Sequence, residues 1–151
     1  MAVHRFAVLT EQGESGVKSA EFEALFAPDV AFSSPFIIKP LSDKALTIRF
    51  LNEVFALGGY PKYTHELTND QRSTLLLWEG KVQGPDGRWF ALEGSLALTE
   101  GEDGLIHEVV SYLRPLQVGV LLMKPVISSV ASTLPKEYWE ATRTFKPAGV
   151  K

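Results

Sequence analysis

In a chain without cysteine, side-chain chemistry must come from hydroxyls, imidazoles, carboxylates and amines, and few here are spaced to cooperate. Tyr63 and His65 are the best-spaced pair. Residues two apart share one face of a strand. If that face turns inward, a phenol and an imidazole stand together as acid–base or ligand-orienting groups. Ser34 and Ser111 are hydroxyls set in apolar segments, able to orient a ligand or to satisfy nearby backbone groups. The three histidines, His4, His65 and His107, fall in separate segments, and none has the spacing of a metal-ligand pair. His107 and Glu108 are neighbours on a strand and point to opposite faces. Disulfides, thiolate nucleophiles and zinc–thiolate centres are excluded outright, and neither a metal nor a cofactor is expected.

The chain that must position these groups has 151 residues, enough for one domain with a substantial core. It is 45% hydrophobic and 22% charged, as soluble globular proteins are. A formal net charge of −3 supplies no broad cationic field, which argues against nucleic acid or an anionic membrane as partner. No basic region followed by a long apolar run opens the sequence, so no signal peptide is expected. The run Val118 to Met123 is far too short to span a bilayer, which takes about 20 residues. A cytoplasmic location is the expectation.

Two long strands joined by an acidic turn dominate the second half, from Arg88 to Pro115. Leu92, Gly94, Leu96 and Leu98 alternate with Ala91, Glu93, Ser95 and Ala97. After Glu100-Gly101-Glu102-Asp103-Gly104, Val109, Ser111 and Leu113 alternate with Glu108, Val110 and Tyr112. Asp-Gly suits the positive φ of a hairpin connection. Both faces carry apolar residues, so both should be covered, one by helices and one by another sheet or subunit. Upstream, Phe22, Leu25 and Phe26 give Val17 to Ala27 a helical face ended by Pro28-Asp29, and Val30, Phe32 and Ser34 then alternate as a short strand. Residues 1–12 fit a helical face less clearly. Ser42 and Asp43 open a helix running to Leu57, with Ile48, Leu51, Val54 and Phe55 inward and Gly58-Gly59 closing it. Strands follow at Tyr63 to Leu67 and Thr74 to Val82, and beyond Pro115 helical spacing returns, with Pro125 expected to kink or split that helix. The order predicts one α+β domain over residues 1–134, an antiparallel sheet wrapped around N-terminal helices with a C-terminal helical extension. Residues 135–151, with Tyr138, Trp139 and Phe145, would form a lid or a dimer arm.

Leu25–Pro35 (LFAPDVAFSSP), the helix Asp43–Leu57, the turn Asp103-Gly104-Leu105-Ile106 and the terminal Leu113-Arg114-Pro115 occur in an order and spacing that resembles the nuclear transport factor 2-like superfamily, in its SnoaL-like branch. The likeness covers roughly residues 17–115. It implies a cone-shaped α+β barrel with an apolar cavity between helices and sheet, often dimeric through the outer sheet face. Ketosteroid isomerase-like members place a carboxylate base before the Pro-Phe that ends the first strand; here Ser34 stands there. Their oxyanion-donating acid aligns with Leu96. The arginine and aspartates of the limonene-epoxide hydrolase-like pattern fall at Gly80, Val82 and Ser111, and a slip of one residue would instead bring in Glu79 and Lys81. The chemical groups of both reactions are therefore missing. Glu79 and Glu93 read as polar positions on the outer surface.

The resemblance implies an inward face of Trp78, Gly80 and Val82; Leu92, Gly94, Leu96 and Leu98; and Val109, Ser111 and Leu113. Ser34, Trp78, Gly80, Leu96, Val109, Ser111 and Leu113 become the candidate ligand-binding residues, in a pocket suited to a small hydrophobic molecule. The expected function is ligand binding by a homodimer without isomerase or epoxide hydrolase chemistry. The alternative is an isomerase, cyclase or hydratase using Tyr63 and His65 as acid–base groups. A third reading is an interaction module whose outer sheet face binds a different protein.

Overall fold

The structure is a computed structural model and describes residues 1–139. It has an α+β fold. Five helices, α1 (Ala2–Glu11), α2 (Glu14–Val17), α3 (Ala20–Ala24), α4 (Lys44–Gly58) and α5 (Leu116–Val130), accompany five strands, β1 (Phe26–Ser33), β2 (Lys62–Thr68), β3 (Ser73–Gln83), β4 (Trp89–Glu100) and β5 (Ile106–Arg114). The strands form one sheet in the order β1-β5-β4-β3-β2. The sheet is mixed, not purely antiparallel, because β1 runs parallel to β5. It also stays open, with β1 and β2 as edges, so no closed barrel forms.

The expected helix over Val17 to Ala27 is corrected. Gly16 lies so close to α1 that a Cβ there would sit 1.9 Å from the Leu9 carbonyl oxygen, which forces the chain to bend. Ser19 then restarts a helix, its Oγ accepting from the Phe22 N–H at 3.1 Å. That helix ends early, and Phe26 already belongs to β1. Pro28 is tolerated inside this strand because β1 is an edge, where a missing N–H leaves no ladder bond unmade.

The other elements follow their patterns closely. In α1, Val3, Phe6, Ala7 and Thr10 are buried at helical spacing. The N-cap of α4 is Asp43, one residue after Ser42, with its carboxylate accepting from the Leu46 N–H at 2.8 Å. Gly59 ends α4 with φ of 79°, a conformation that favours glycine. Helix α5 runs through Pro125 unsplit, burying Val118, Leu122 and Val126 one turn apart.

One end of the core is solid. Phe6, Phe22 and Phe26 from α1, α3 and β1 meet with ring centroids 5.2–6.1 Å apart. All three are fully buried. At about 1.5–3 kcal/mol for each such side chain removed from water, this trio fastens the N-terminal helices to the sheet edge. The other end of the core is hollow.

Candidate functional site

The hollow is a cavity of about 50 Å³ between α4, α5 and the inner face of the sheet. Helix α4 contributes Leu51, Val54, Phe55 and Gly58, α5 contributes Leu122, and the chain after β1 contributes Ser34 and Phe36. Trp78, Leu92, Leu96, Ser111 and Leu113 form its floor on β3, β4 and β5. No Asp, Glu, Lys, Arg or His lines it.

Period-two pairing places this floor. Trp78 pairs with Gly94, which pairs with Leu113, and Leu76 pairs with Leu96, which pairs with Ser111. Leu96 and Ser111, the two positions where enzymes of the resembling family carry acids, are thus direct cross-strand neighbours. The indole of Trp78 lies flat over Gly94, where a Cβ would come within 2.7 Å of ring carbon Cζ2 and 2.1 Å of the Tyr112 carbonyl oxygen. Only glycine at 94 lets the ring rest on the sheet.

Three polar groups reach this apolar space. The Trp78 Nε1–H is buried without a hydrogen-bond partner. Ser34 Oγ accepts from the Phe36 N–H at 3.3 Å, leaving its own hydrogen to donate. Ser111 Oγ has no partner among the described residues. Gly80 and Val109 do not line the cavity. Gly80 borders a broad open groove of about 770 Å³ at the rim of the sheet, and Val109 is fully buried in the core opposite Phe32. Sequence reasoning did not assign Phe36, Leu51, Val54, Phe55 or Leu122 to the site. The helical spacing of the last four carried that information, since their inward faces can only meet the sheet.

Tyr63 and His65 are not brought together. Tyr63 pairs with Trp78, but His65 pairs with Leu77, because Thr64 is an extra residue in β2 that the partner strand does not match. The bulge breaks the alternation and sends the two side chains to opposite faces. The Tyr63 hydroxyl is buried 2.9 Å from Thr10 Oγ1. Burial pushes its pKa well above the ordinary phenol value, against a smaller lowering by the Thr10 bond. His65 is exposed on the outer face, its Nδ1 3.2 Å from Thr64 Oγ1. Tyr63 therefore stays protonated at neutral pH with its hydroxyl already engaged.

Glu79 and Glu93 lie on the outer face, as expected. They oppose each other across β3 and β4, flanked by Lys62 on β2 and Arg114 on β5. Lys62 Nζ is 3.8 Å from Glu79, and Arg114 forks onto Glu93. The next rows are His65, Leu77, Ser95 and Tyr112, then Leu67, Leu75, Ala97 and Val110. Lys81 also sits on this face, so neither member of the slipped acid–base pair points inward.

The start of the C-terminal tail packs on its own chain. The Ile38 N–H donates to the Tyr138 carbonyl at 2.7 Å, Lys39 lies 4.4 Å above the Tyr138 ring, and Trp139 Nε1 donates to the Leu134 carbonyl at 3.1 Å. Phe145 and the remainder of the tail lie outside the described residues. Among the described residues there is no cluster of metal-ligating side chains and no helix long and apolar enough to cross a membrane.

No family model matches the chain, and no curated protein is significantly similar to it. Solved structures are similar. A steroid delta-isomerase from Pseudomonas aeruginosa is 24% identical with a TM-score of 0.66, covering 84% of this chain and 93% of its own. An uncharacterised protein with a cystatin-like fold from Silicibacter pomeroyi DSS-3 is 21% identical with a TM-score of 0.72, covering 87% and 86%. A Mycobacterium tuberculosis protein in complex with estradiol-17beta-hemisuccinate is 15% identical with a TM-score of 0.59, covering 78% and 93%. With helices laid over one face of an open five-stranded sheet, and these solved structures superposing over most of its length, the chain has the nuclear transport factor 2-like fold expected of its SnoaL-like sequence pattern.

Proposed function

We propose that this protein binds a small apolar molecule in the cavity between α4, α5 and the sheet, without ketosteroid isomerase or epoxide hydrolase chemistry. The main support is an enclosed apolar cavity lined by no titratable side chain. General acid–base catalysis needs a group of suitable pKa within hydrogen-bond reach of the reacting atom. The acid–base pair Tyr63 and His65 is divided between the two faces of β2. Leu96 and Ser111 cannot replace the missing acids, since one has no polar atom and the other is an unactivated hydroxyl. Two solved neighbours support the ligand class by likeness, one crystallised with estradiol-17beta-hemisuccinate and one with polyporic acid.

Size sets a condition on the ligand. Pockets that enclose drug-sized molecules measure about 300–1,000 Å³. The present space of about 50 Å³ holds a fragment at most. Anything larger must push apart the walls, and α5 is the wall to move, since its Leu122 packs on Gly58 and closes the cavity from above. The described part of the tail, resting on Ile38 and Lys39 just after Phe36, suits a lid over the same opening.

The same reading takes the working form as a homodimer in the cytoplasm, joined through the outer sheet face. Leu75, Ala97 and Val110 form an apolar row there, with Tyr112 and Leu67 exposed beside it. An isologous contact needs about 800 Å² from each partner. Native mass spectrometry of freshly purified protein tests both parts. A dimer carrying a bound apolar mass that organic solvent removes is the expected result. A bare monomer that takes up no hydrophobic fragment would sink the reading.

A further inference from the structure

The cavity's polar groups are one-sided, and that narrows the ligand. Trp78 Nε1–H is a pure donor, buried with no protein acceptor. The free capacity of Ser34 is likewise a hydrogen to donate, because its oxygen already accepts from the Phe36 N–H. Ser111 can do either, and it sits one register step from Trp78 along the floor: Trp78 pairs through Gly94 to Leu113, and Ser111 is two residues before Leu113 on the same face. No carbonyl-bearing side chain and no carboxylate lines the space to receive these hydrogens.

We infer that the ligand carries a neutral hydrogen-bond acceptor, a ketone, quinone or ester oxygen on an otherwise apolar frame, and that Trp78 Nε1 donates to it with Ser111 alongside. This rests on the binding reading above. A buried donor left unpaired is costly, and a ligand oxygen removes that cost on binding. A bare hydrocarbon leaves the indole N–H unpaired. A carboxylate would satisfy the donors but would enter a space with no lysine, arginine or histidine to balance its charge, which desolvation forbids. An alcohol that only donates finds no free side-chain acceptor except Ser111. Gly94 contributes by letting the indole lie on the sheet, which holds the ring, and with it Nε1, in a fixed plane.

Three matched probes separate these cases: acetophenone, isopropylbenzene and benzoate, titrated into the full-length protein. The readouts are the dissociation constants and the indole N–H resonances in 1H–15N spectra, with Trp78 assigned by Trp78→Phe. Acetophenone should bind and move the Trp78 indole proton downfield, while isopropylbenzene binds without that shift and benzoate binds at least about tenfold more weakly than acetophenone. Trp78→Phe should lower the acetophenone-to-isopropylbenzene affinity ratio about tenfold, the worth of one hydrogen bond with its unpaired partner. The wild-type indole shift needs no variant, so a poorly folding Trp78→Phe does not spoil the test. Binding of isopropylbenzene and acetophenone with no movement of the Trp78 resonance overturns the donor inference and leaves the binding reading standing. Preferred binding of benzoate also overturns the inference. Failure of all three probes to bind overturns both.

Discussion

The two faces of the sheet are built from the same strands, yet they are chemically opposite. The inner face between β3 and β5 is Trp78, Leu92, Leu96, Ser111 and Leu113, with no charge. The outer face, one residue away at every step, holds Lys62, Glu79, Lys81, Glu93 and Arg114 together with His65. The strands thus keep their titratable groups where water screens them and leave the cavity a set of weak donors. The difference argues that the pocket selects by shape and by a single polar point, because nothing inside it can move a proton.

Placing a charge on the wrong side should break that contrast most severely. Leu96→Asp would bury a carboxylate with no cation beside it, at a cost of about 3–5 kcal/mol at pH 7. Burial raises the folded-state pKa of such a group above its unfolded value near 4. The penalty is therefore absent below about pH 4 and grows as the pH rises towards the folded pKa. Urea midpoints at pH 4 and pH 7 should show the variant close to wild type at the lower pH only. A pH-independent loss would mean that the position is not the dry interior described above.

Gly94→Ala should come next. The new methyl meets the Tyr112 carbonyl oxygen at 2.1 Å and the indole at 2.7 Å before relaxation, so backbone and ring must both shift. About 2–3 kcal/mol of stability should be lost. The near-ultraviolet circular dichroism of Trp78 should change with it, and fragment binding should weaken. Unchanged stability and spectrum would show that the indole does not rest on β4.

Tyr63→Phe sharpens the comparison from the edge strand. It should cost about 1 kcal/mol at pH 7 by removing the bond to Thr10. Since burial raises the Tyr63 pKa, the folded state holds this proton after the unfolded chain has released it. The stability that Tyr63 gives is complete below about pH 10 and is lost as pH rises towards the folded value. The gap between wild type and variant, measured by denaturant midpoint from pH 8 to pH 11, should narrow at the alkaline end. Smallest of all, Glu93→Gln on the outer face should change stability by no more than about 0.5 kcal/mol, as exposed ion pairs usually do.

How far the sequence could be read depended on what reports a residue's direction. Where long alternation was uninterrupted, as in β3, β4 and β5, the faces were legible: Trp78, Leu96, Ser111 and Leu113 reach the cavity, and Glu79 and Glu93 stay outside. The helical register of α4 and α5 was legible too, although its meaning for the site was not, because helices need a tertiary partner before their inward side has an address. Alternation failed where one residue too many entered a strand. Thr64 is an ordinary strand residue by type, and no composition signal marks it as a bulge, so Tyr63 and His65 read as partners when they are not. At the N-terminus the helical spacing of Phe22, Leu25 and Phe26 was real, but all three are buried in a helix-to-strand corner where either period puts them inside. Gly16 was visible as a breaker, while the contact with Leu9 that makes glycine necessary there was not.

The hollow beside Trp78 also has a mechanical consequence. Empty space inside a folded chain is volume that unfolding removes, so hydrostatic pressure favours the unfolded state in proportion to it. This molecule should give way under pressure at the end of the sheet where α5 covers the cavity, before the packed Phe6–Phe22–Phe26 corner yields. A guest that fills the void would remove that compressibility, making the ligand a mechanical part of the core.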